Sequence, residues 1–380
     1  MYKEIINVGV FDNDIDLFEG QYTVPDGITY NSYVVMGNTA VAVIDSVDLR
    51  FSAEWLENIG RATAKAPDYL VIQHMEPDHS GSILAFVEKY PKAKLVASAK
   101  AHAMLSAFFP DMPAVDIVTV AEGGVLELGG RALQFYTAPM VHWPEVIVTF
   151  DENSGTLFSA DAFGRFGPPD VDYPWSDEAR RYYIGIVGKY GKPVTALLKK
   201  LSTLNISSIA PLHGPVLSGE LEKYIGLYTK WSAYQPEQEG TVIAYATIYG
   251  GTREAAELLA DKIYELSGTR PELYDLARCD KHAAIAAAFR YSRLVLCSAT
   301  YNGDAFPPMR EYIAALVERG YTNRTVYFIE NGSWAPTAAK AMRAPLENIA
   351  GLTLGATVTV KSRLNADSRA AIFALAEGMV

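Results

Sequence analysis

From residue 241 to the C-terminus, strand-like and helix-like stretches alternate without a break. Residues 241–246, 272–275, 294–297, 325–329 and 353–360 read as short strands, and helical patterns follow them at 253–266, 281–291 and 308–319, from about 337 and from 366. A strand that returns through a helix pairs as a parallel neighbour, so the pattern predicts a doubly wound parallel sheet of five strands. Before residue 230 the pattern differs. Apolar runs at 32–35, 41–44, 69–72, 94–97, 132–137, 146–150 and 156–159 alternate with turn signals, often with no long helix between them. Helices are expected at 52–64, 83–89, 100–108, 178–188, 194–204 and 221–231. The segment 235–240 carries Pro236, two glutamates and Gly240 and reads as a linker, which gives a strand-rich α/β domain over 1–238 and a parallel α/β domain over 239–380.

Composition narrows the function classes. At 380 residues the chain can bury two cores, and 49% hydrophobic with 20% charged residues is a folded composition. Lys plus Arg number 33 against 44 Asp plus Glu, and a net charge of −11 disfavours nucleic acid or an anionic membrane as the main partner. The two cysteines, Cys279 and Cys297, provide neither a disulfide framework nor a four-Cys zinc, rubredoxin or iron–sulfur site, and fit a reducing cytoplasm. Residues 1–12, with Lys3, Glu4 and Asp12, lack a secretory core, and residues 27–44 read as two strands around a Gly37-Asn38 turn, not a membrane span.

The chemistry concentrates after residue 72. His74, Glu76, Asp78 and His79 fall within six residues of a loop that follows a strand. Side chains two apart share a face of an extended segment, so His74, Glu76 and Asp78 converge and His79 adds a second direction. Downstream, His142, Asp161 and His213 each follow a strand-like run and precede a turn, and such loops bring remote residues to one edge of a fold. A carboxylate among the imidazoles favours iron or manganese over zinc. His102 and His282 fit no part of this pattern, and Glu122 and Glu127 read as turn residues.

In the second half, Thr247-Ile248-Tyr249-Gly250-Gly251-Thr252 leads from a strand into a helix. Hydroxyl donors, glycines that let backbone N–H groups approach and a helix N-terminus together form an anion cradle, without the sequence of a Walker loop or a dinucleotide fingerprint. The loops Ser298-Ala299-Thr300-Tyr301-Asn302-Gly303 and Glu330-Asn331-Gly332-Ser333-Trp334-Ala335 follow the third and fourth strands, on the edge where open α/β sheets bind ligands.

The motif His-x-Glu-x-Asp-His, followed by His142, by Asp161 in Phe-Ser-Ala-Asp-Ala-Phe-Gly and by His213 in His-Gly-Pro, resembles the metallo-β-lactamase-like core of the A-type flavodiiron proteins. The three later loops resemble those of flavodoxin, and the two likenesses together span the chain in that family's order. The resemblance implies a metallo-β-lactamase-like αββα sandwich followed by a flavodoxin-like sheet. It places His74, Glu76 and His142 on one iron and Asp78, His79 and His213 on the other, with Asp161 bridging. For His79 it leaves two places open, in the ligand set or just outside it. It further implies FMN, with its phosphate at 247–252 and its ring between the other two loops, and a cytoplasmic oxidoreductase that reduces O2 to water, NO to N2O, or both. No rubredoxin extension is expected, so the electron donor is a separate rubredoxin or similar small protein. A head-to-tail homodimer, or a dimer of dimers, would set FMN of one copy beside the metals of the other. The competing readings are a zinc hydrolase with an accessory flavodoxin-like domain and an electron-storage module.

Overall fold

The computed structural model describes residues 5–380, so Lys3 and Glu4 lie outside the described residues. The chain forms two compact units, Met1–Thr229 and Lys230–Val380.

In the second unit the strands Gln238–Ala246, Glu272–Asp275, Tyr291–Tyr301, Thr325–Asn331 and Thr353–Val360 form a sheet in the order second, first, third, fourth, fifth. Every pairing along it is parallel. This is the flavodoxin-like order, with its switch point between the first and third strands. The central strands are apolar at successive positions because helices cover both faces. Ile243, Val295, Ile329 and Val358 pack under helices Gly251–Ser267 and Ala366–Glu377. Helices Lys281–Arg290, Pro307–Glu318 and Ala338–Arg343 pack on the other side. The stretch 235–240 is not wholly a linker: Gln238 already pairs with Tyr291, and a register irregularity between Gln238 and Thr241 takes up the slip at Gly240.

The first unit stacks two mixed sheets. One runs through Ile6–Asn7, Tyr33–Met36, Val41–Ile44, Tyr69–Ile72, Lys94–Ser98 and Ile117–Val120. The other runs through Val125–Glu127, Ala132–Thr137, Ile147–Asp151, Thr156–Phe158, Ser208–Ala210 and Leu217–Ser218. Val35, Ile44, Val71 and Val96 of the first pack with Leu133, Phe135, Ile147 and Phe158 of the second in one buried core. With the inner faces so occupied, the helices that link parallel strands take the outer faces: Ser52–Ala62, Ile83–Lys89 and Ala99–Phe108 on the first sheet, Gly191–Leu201 on the second. The result is the helix–sheet–sheet–helix sandwich.

Two expectations shift in detail. The helix expected at 178–188 is three pieces: an α-helix Trp175–Tyr182, a π turn Tyr183–Val187 and a 3-10 turn Gly188–Tyr190. Gly185 accounts for the change of winding, because its carbonyl accepts the Tyr22 hydroxyl at 2.8 Å and a Cβ there would lie 2.7 Å from the Tyr22 ring. The edge strands Ile6–Asn7, Val125–Glu127 and Leu217–Ser218 were not expected, since two or three residues are too few to show a period. No described helix is long and apolar enough to cross a membrane.

Candidate functional site

Strand direction places the ligand-type residues of the first unit. His74 to His79 follow the C-terminal end of Tyr69–Ile72, Asp161 follows Thr156–Phe158, and His213 follows Ser208–Ala210. His142 lies in the turn between Ala132–Thr137 and Ile147–Asp151, whose antiparallel pairing delivers it to the same edge as Asp161. Ala160 and Met140, each close before a member of the cluster, have φ of 50° and 64°, a strained backbone held where side chains must converge.

All seven expected metal-site residues come together in two groups, His74, Glu76, His142 and Asp161, and Asp78, His79 and His213. In the first group Glu76 Oε2 is 3.1 Å from His74 Nε2 and 3.0 Å from His142 Nε2. Asp161 Oδ2 is 3.3 and 3.1 Å from the same two nitrogens. In the second, Asp78 Oδ2 is 3.2 Å from His79 Nε2 and 3.3 Å from His213 Nε2, which are 3.0 Å from each other. Asp161 turns its other oxygen to this group, with Oδ1 3.1 Å from His79 Nε2 and 3.7 Å from His213 Nε2. One carboxylate therefore faces both clusters, and His79 stands inside the second.

The arrangement suits cations. Neither oxygen of Asp78 nor Asp161 Oδ1 has a hydrogen-bond donor although all three atoms are buried. An ionised carboxylate in that condition is expensive unless positive charge stands beside it. Without metal, protons on the imidazoles take that part: burial alone would pull His142 down, but hydrogen bonds with Asp161 and Glu76 push it up to about 9. Burial likewise opposes ionisation of Asp161, and His74 and His79 outweigh it and hold the carboxyl well below its usual range.

The surrounding shell was not singled out in the sequence. His74 Nδ1 donates to Glu145 Oε1 at 2.8 Å, and His213 Nδ1 donates to the Thr29 carbonyl at 2.6 Å, so each ring turns Nε2 to the centre. Asp45 accepts the backbone N–H of Gln73 at 2.7 Å and of His74 at 3.3 Å and fixes the start of the ligand loop. Phe18 and Tyr182 lie against the His213 ring at centroid distances of 5.4 and 5.3 Å. The only available cue for Glu145 was an acidic residue three positions beyond His142, in a Trp-Pro turn. His102 stands apart, its Nδ1 3.3 Å from Thr119 Oγ1, and His282 lies in the first turn of Lys281–Arg290.

In the second unit the three expected loops border one cavity of about 700 Å³. Thr247, Ile248, Tyr249, Gly251 and Thr252 line it, with Ala299 to Gly303 from the second loop and Asn331 to Trp334 from the third. Gly250 and Ser298 are not among the lining residues. Gly250 takes the left-handed φ of 94° that opens the helix, its N–H bonded to Thr247 Oγ1, while Ser298 is buried and accepts the Phe306 N–H. Tyr249 and Trp334 stand 99% and 91% exposed at the rim, so neither serves the core. A fourth loop, carrying Ser362 and Arg363, completes the lining and was missed in the sequence. Glycines at a helix start, hydroxyls and a rim of aromatic rings match a phosphate-bearing planar ligand.

Comparison with known proteins bears on the chain as a whole. Residues 28–214 match the model of the ODP family beta lactamase. The type A flavoprotein fprA of Rhodobacter capsulatus is 28% identical over 90% of this chain and 81% of its own length. The anaerobic nitric oxide reductase flavorubredoxin of Salmonella arizonae is 27% identical over 95% of this chain and 77% of its own length. Among solved structures, the rubredoxin oxygen:oxidoreductase of Desulfovibrio gigas shares the fold, with a TM-score of 0.90 at 23% identity over 100% of this chain and 98% of that one. The Coenzyme F420H(2) oxidase of Methanothermobacter marburgensis is 30% identical over 84% of this chain and 81% of its own length, and at that level of likeness across both units the chain belongs to the A-type flavodiiron proteins.

Proposed function

We propose that the chain is an oxidoreductase that reduces O2 to water, NO to N2O, or both, at a non-haem di-iron centre, with electrons delivered through FMN. His74, Glu76 and His142 hold one metal in this reading, Asp78, His79 and His213 hold the other, and Asp161 bridges. The observation that carries it is Asp161, whose Oδ2 faces one cluster at 3.1 Å and whose Oδ1 faces the other at 3.1 Å. Bound there, an iron pair supplies open-shell redox chemistry that zinc lacks, and FMN supplies the electron store that feeds it.

The chain's own residues do the rest. Glu145 and the Thr29 carbonyl hold the proton of the outer ring nitrogen on His74 and His213, which keeps Nε2 free to ligate. Phe18 and Tyr182 keep water from the His213 side. Similar proteins are named as an oxidase and as a nitric oxide reductase, which supports both substrates. We infer a small electron donor of the rubredoxin kind, a head-to-tail dimer that sets the flavin of one copy by the metals of the other, and a reducing cytoplasm suited to two free cysteines.

Metal analysis of anaerobically purified protein tests the reading. Iron at about two per chain, one FMN, and O2 or NO consumption driven by a reduced small donor are expected. Stoichiometric zinc from iron-replete cells with ester turnover would return the chain to the hydrolases, which Glu76 argues against.

A further inference from the structure

Loop 361–365 follows the strand Thr353–Val360 and is pinned at its start. Asn331 Nδ2 donates to the Ser362 carbonyl at 3.1 Å, the Ser362 N–H donates to Asn331 Oδ1 at 3.0 Å, and Ser362 Oγ lies 2.7 Å from Ser333 Oγ. The same turn abuts the start of helix Gly251–Ser267, since a Cβ on Gly251 would lie 2.4 Å from the Ser362 carbonyl oxygen. Arg363, the next residue, lines the cavity together with Thr247, Gly251 and Thr252. Among the described residues that line this cavity, Arg363 is the one cation. Arg253, in the first turn of the helix, faces Glu257 at 3.7 Å. Glu254 also lines the cavity and sets a negative charge beside the helix start, against which the cradle's neutral donors and helix dipole must work.

We propose that Arg363 sets the specificity of this pocket for a phosphorylated flavin. Its guanidinium pairs with the phosphate dianion of FMN, offsets Glu254 and makes the pocket prefer FMN to riboflavin, which has the same ring and no phosphate. The inference rests on the reading of the cavity as an FMN site. Hydroxyl and backbone donors bind a phosphate through neutral hydrogen bonds, whereas a guanidinium adds charge-assisted, bidentate ones that are roughly twice as strong. Arg363 is exposed, so salt screens part of the effect.

The test is titration of flavin-free protein with FMN and with riboflavin, read by quenching of flavin fluorescence, for wild type, Arg363→Gln and Arg363→Lys at low and high salt. Arg363→Gln should weaken FMN about tenfold, the scale of one charge-assisted bond at a partly solvated site, and leave riboflavin unchanged. The deficit should shrink as salt rises, and Arg363→Lys should recover most of it. Unchanged riboflavin affinity marks a folded second unit in each variant. Equal losses for both flavins, or no loss for FMN, overturn the role of Arg363 and leave the FMN site standing. Wild-type protein that binds neither flavin overturns the site itself.

Discussion

The buried carboxylate of Glu145 holds His74 from behind: Oε1 accepts the ring Nδ1–H at 2.8 Å and the Met75 backbone N–H at 3.0 Å. The ring is thereby fixed in the tautomer that presents Nε2 to the centre, and its basicity rises. Glu145→Gln keeps the shape and removes the charge. It should lower iron affinity by roughly 10-fold to 100-fold, as loss of such an outer partner does. Competition against a chelator measures this, and a variant that keeps iron as tightly as wild type refutes the role.

Asp161 faces both groups, so its removal should be felt at both. Asp161→Ala is expected to reduce total iron below that of Glu145→Gln and to abolish magnetic coupling between the irons that remain, with flavin content unchanged. Removal of metal from the wild type should lower Tm, because binding to the native state alone stabilises it by about 4 kcal/mol at a thousandfold excess over Kd. An apoprotein that melts at the same temperature as the loaded form would mean the seven side chains do not hold metal.

How much of this was legible in the sequence follows from how local each signal is. The ligand loop His74 to His79 could be read because its chemistry is packed into six residues, and the second unit because strands carry their own apolar runs, such as 294–297 within Tyr291–Tyr301 and 325–329 within Thr325–Asn331, and alternate with helices. Glu145, Thr29 and Asp45 carry no such signal. Each acts through hydrogen bonds to residues tens of positions away, and only the fold makes those groups neighbours. The fourth cavity loop escaped for the same reason: Ser362 is bound to the site by Asn331, 31 residues earlier.

The close approach of Gly251 to Ser362 gives a separate test of the second unit. An alanine would gain helix propensity of about 1 kcal/mol but would set its Cβ 2.4 Å from a backbone oxygen, which the side-chain gain cannot accommodate without moving loop 361–365. Gly251→Ala should therefore release flavin while iron stays bound. Full retention of flavin would show that the loop moves without affecting the pocket.

Arg131 and Asp151 form a buried ion pair far from the chemistry, with Nε 3.0 Å from Oδ2 and side chains 2% and 0% exposed. Arg131→Met leaves the aspartate charge uncompensated and should destabilise the chain by about 3–5 kcal/mol. Arg131→Met combined with Asp151→Leu should recover much of that, because the apolar pair removes both charges together. Urea unfolding decides it, and a double variant less stable than Arg131→Met would contradict the argument.

Glu19 supplies a pH dependence. It sits at the turn of the hairpin Leu17–Phe18 and Tyr22–Thr23, whose Phe18 packs on His213. Although Glu19 is exposed at the surface, the chain crowded about its carboxylate, then the negative charges of Glu76 and Asp78, push it up from 4.5 to about 7, against the pull of His142 and a hydrogen bond from Gln21. The folded state therefore holds a proton that the unfolded chain releases near 4.5, so the group destabilises the metal-free protein progressively as pH rises through that interval to about 7. Glu19→Gln, which stays neutral, should raise the Tm of the metal-free protein at pH 8 and leave it nearly unchanged at pH 4, values on either side of the window. Metal loading compensates Glu76 and Asp78 and should shrink the difference at the higher pH. A Tm gain that is the same at both pH values would assign the effect to packing of the hairpin and not to the charge on Glu19.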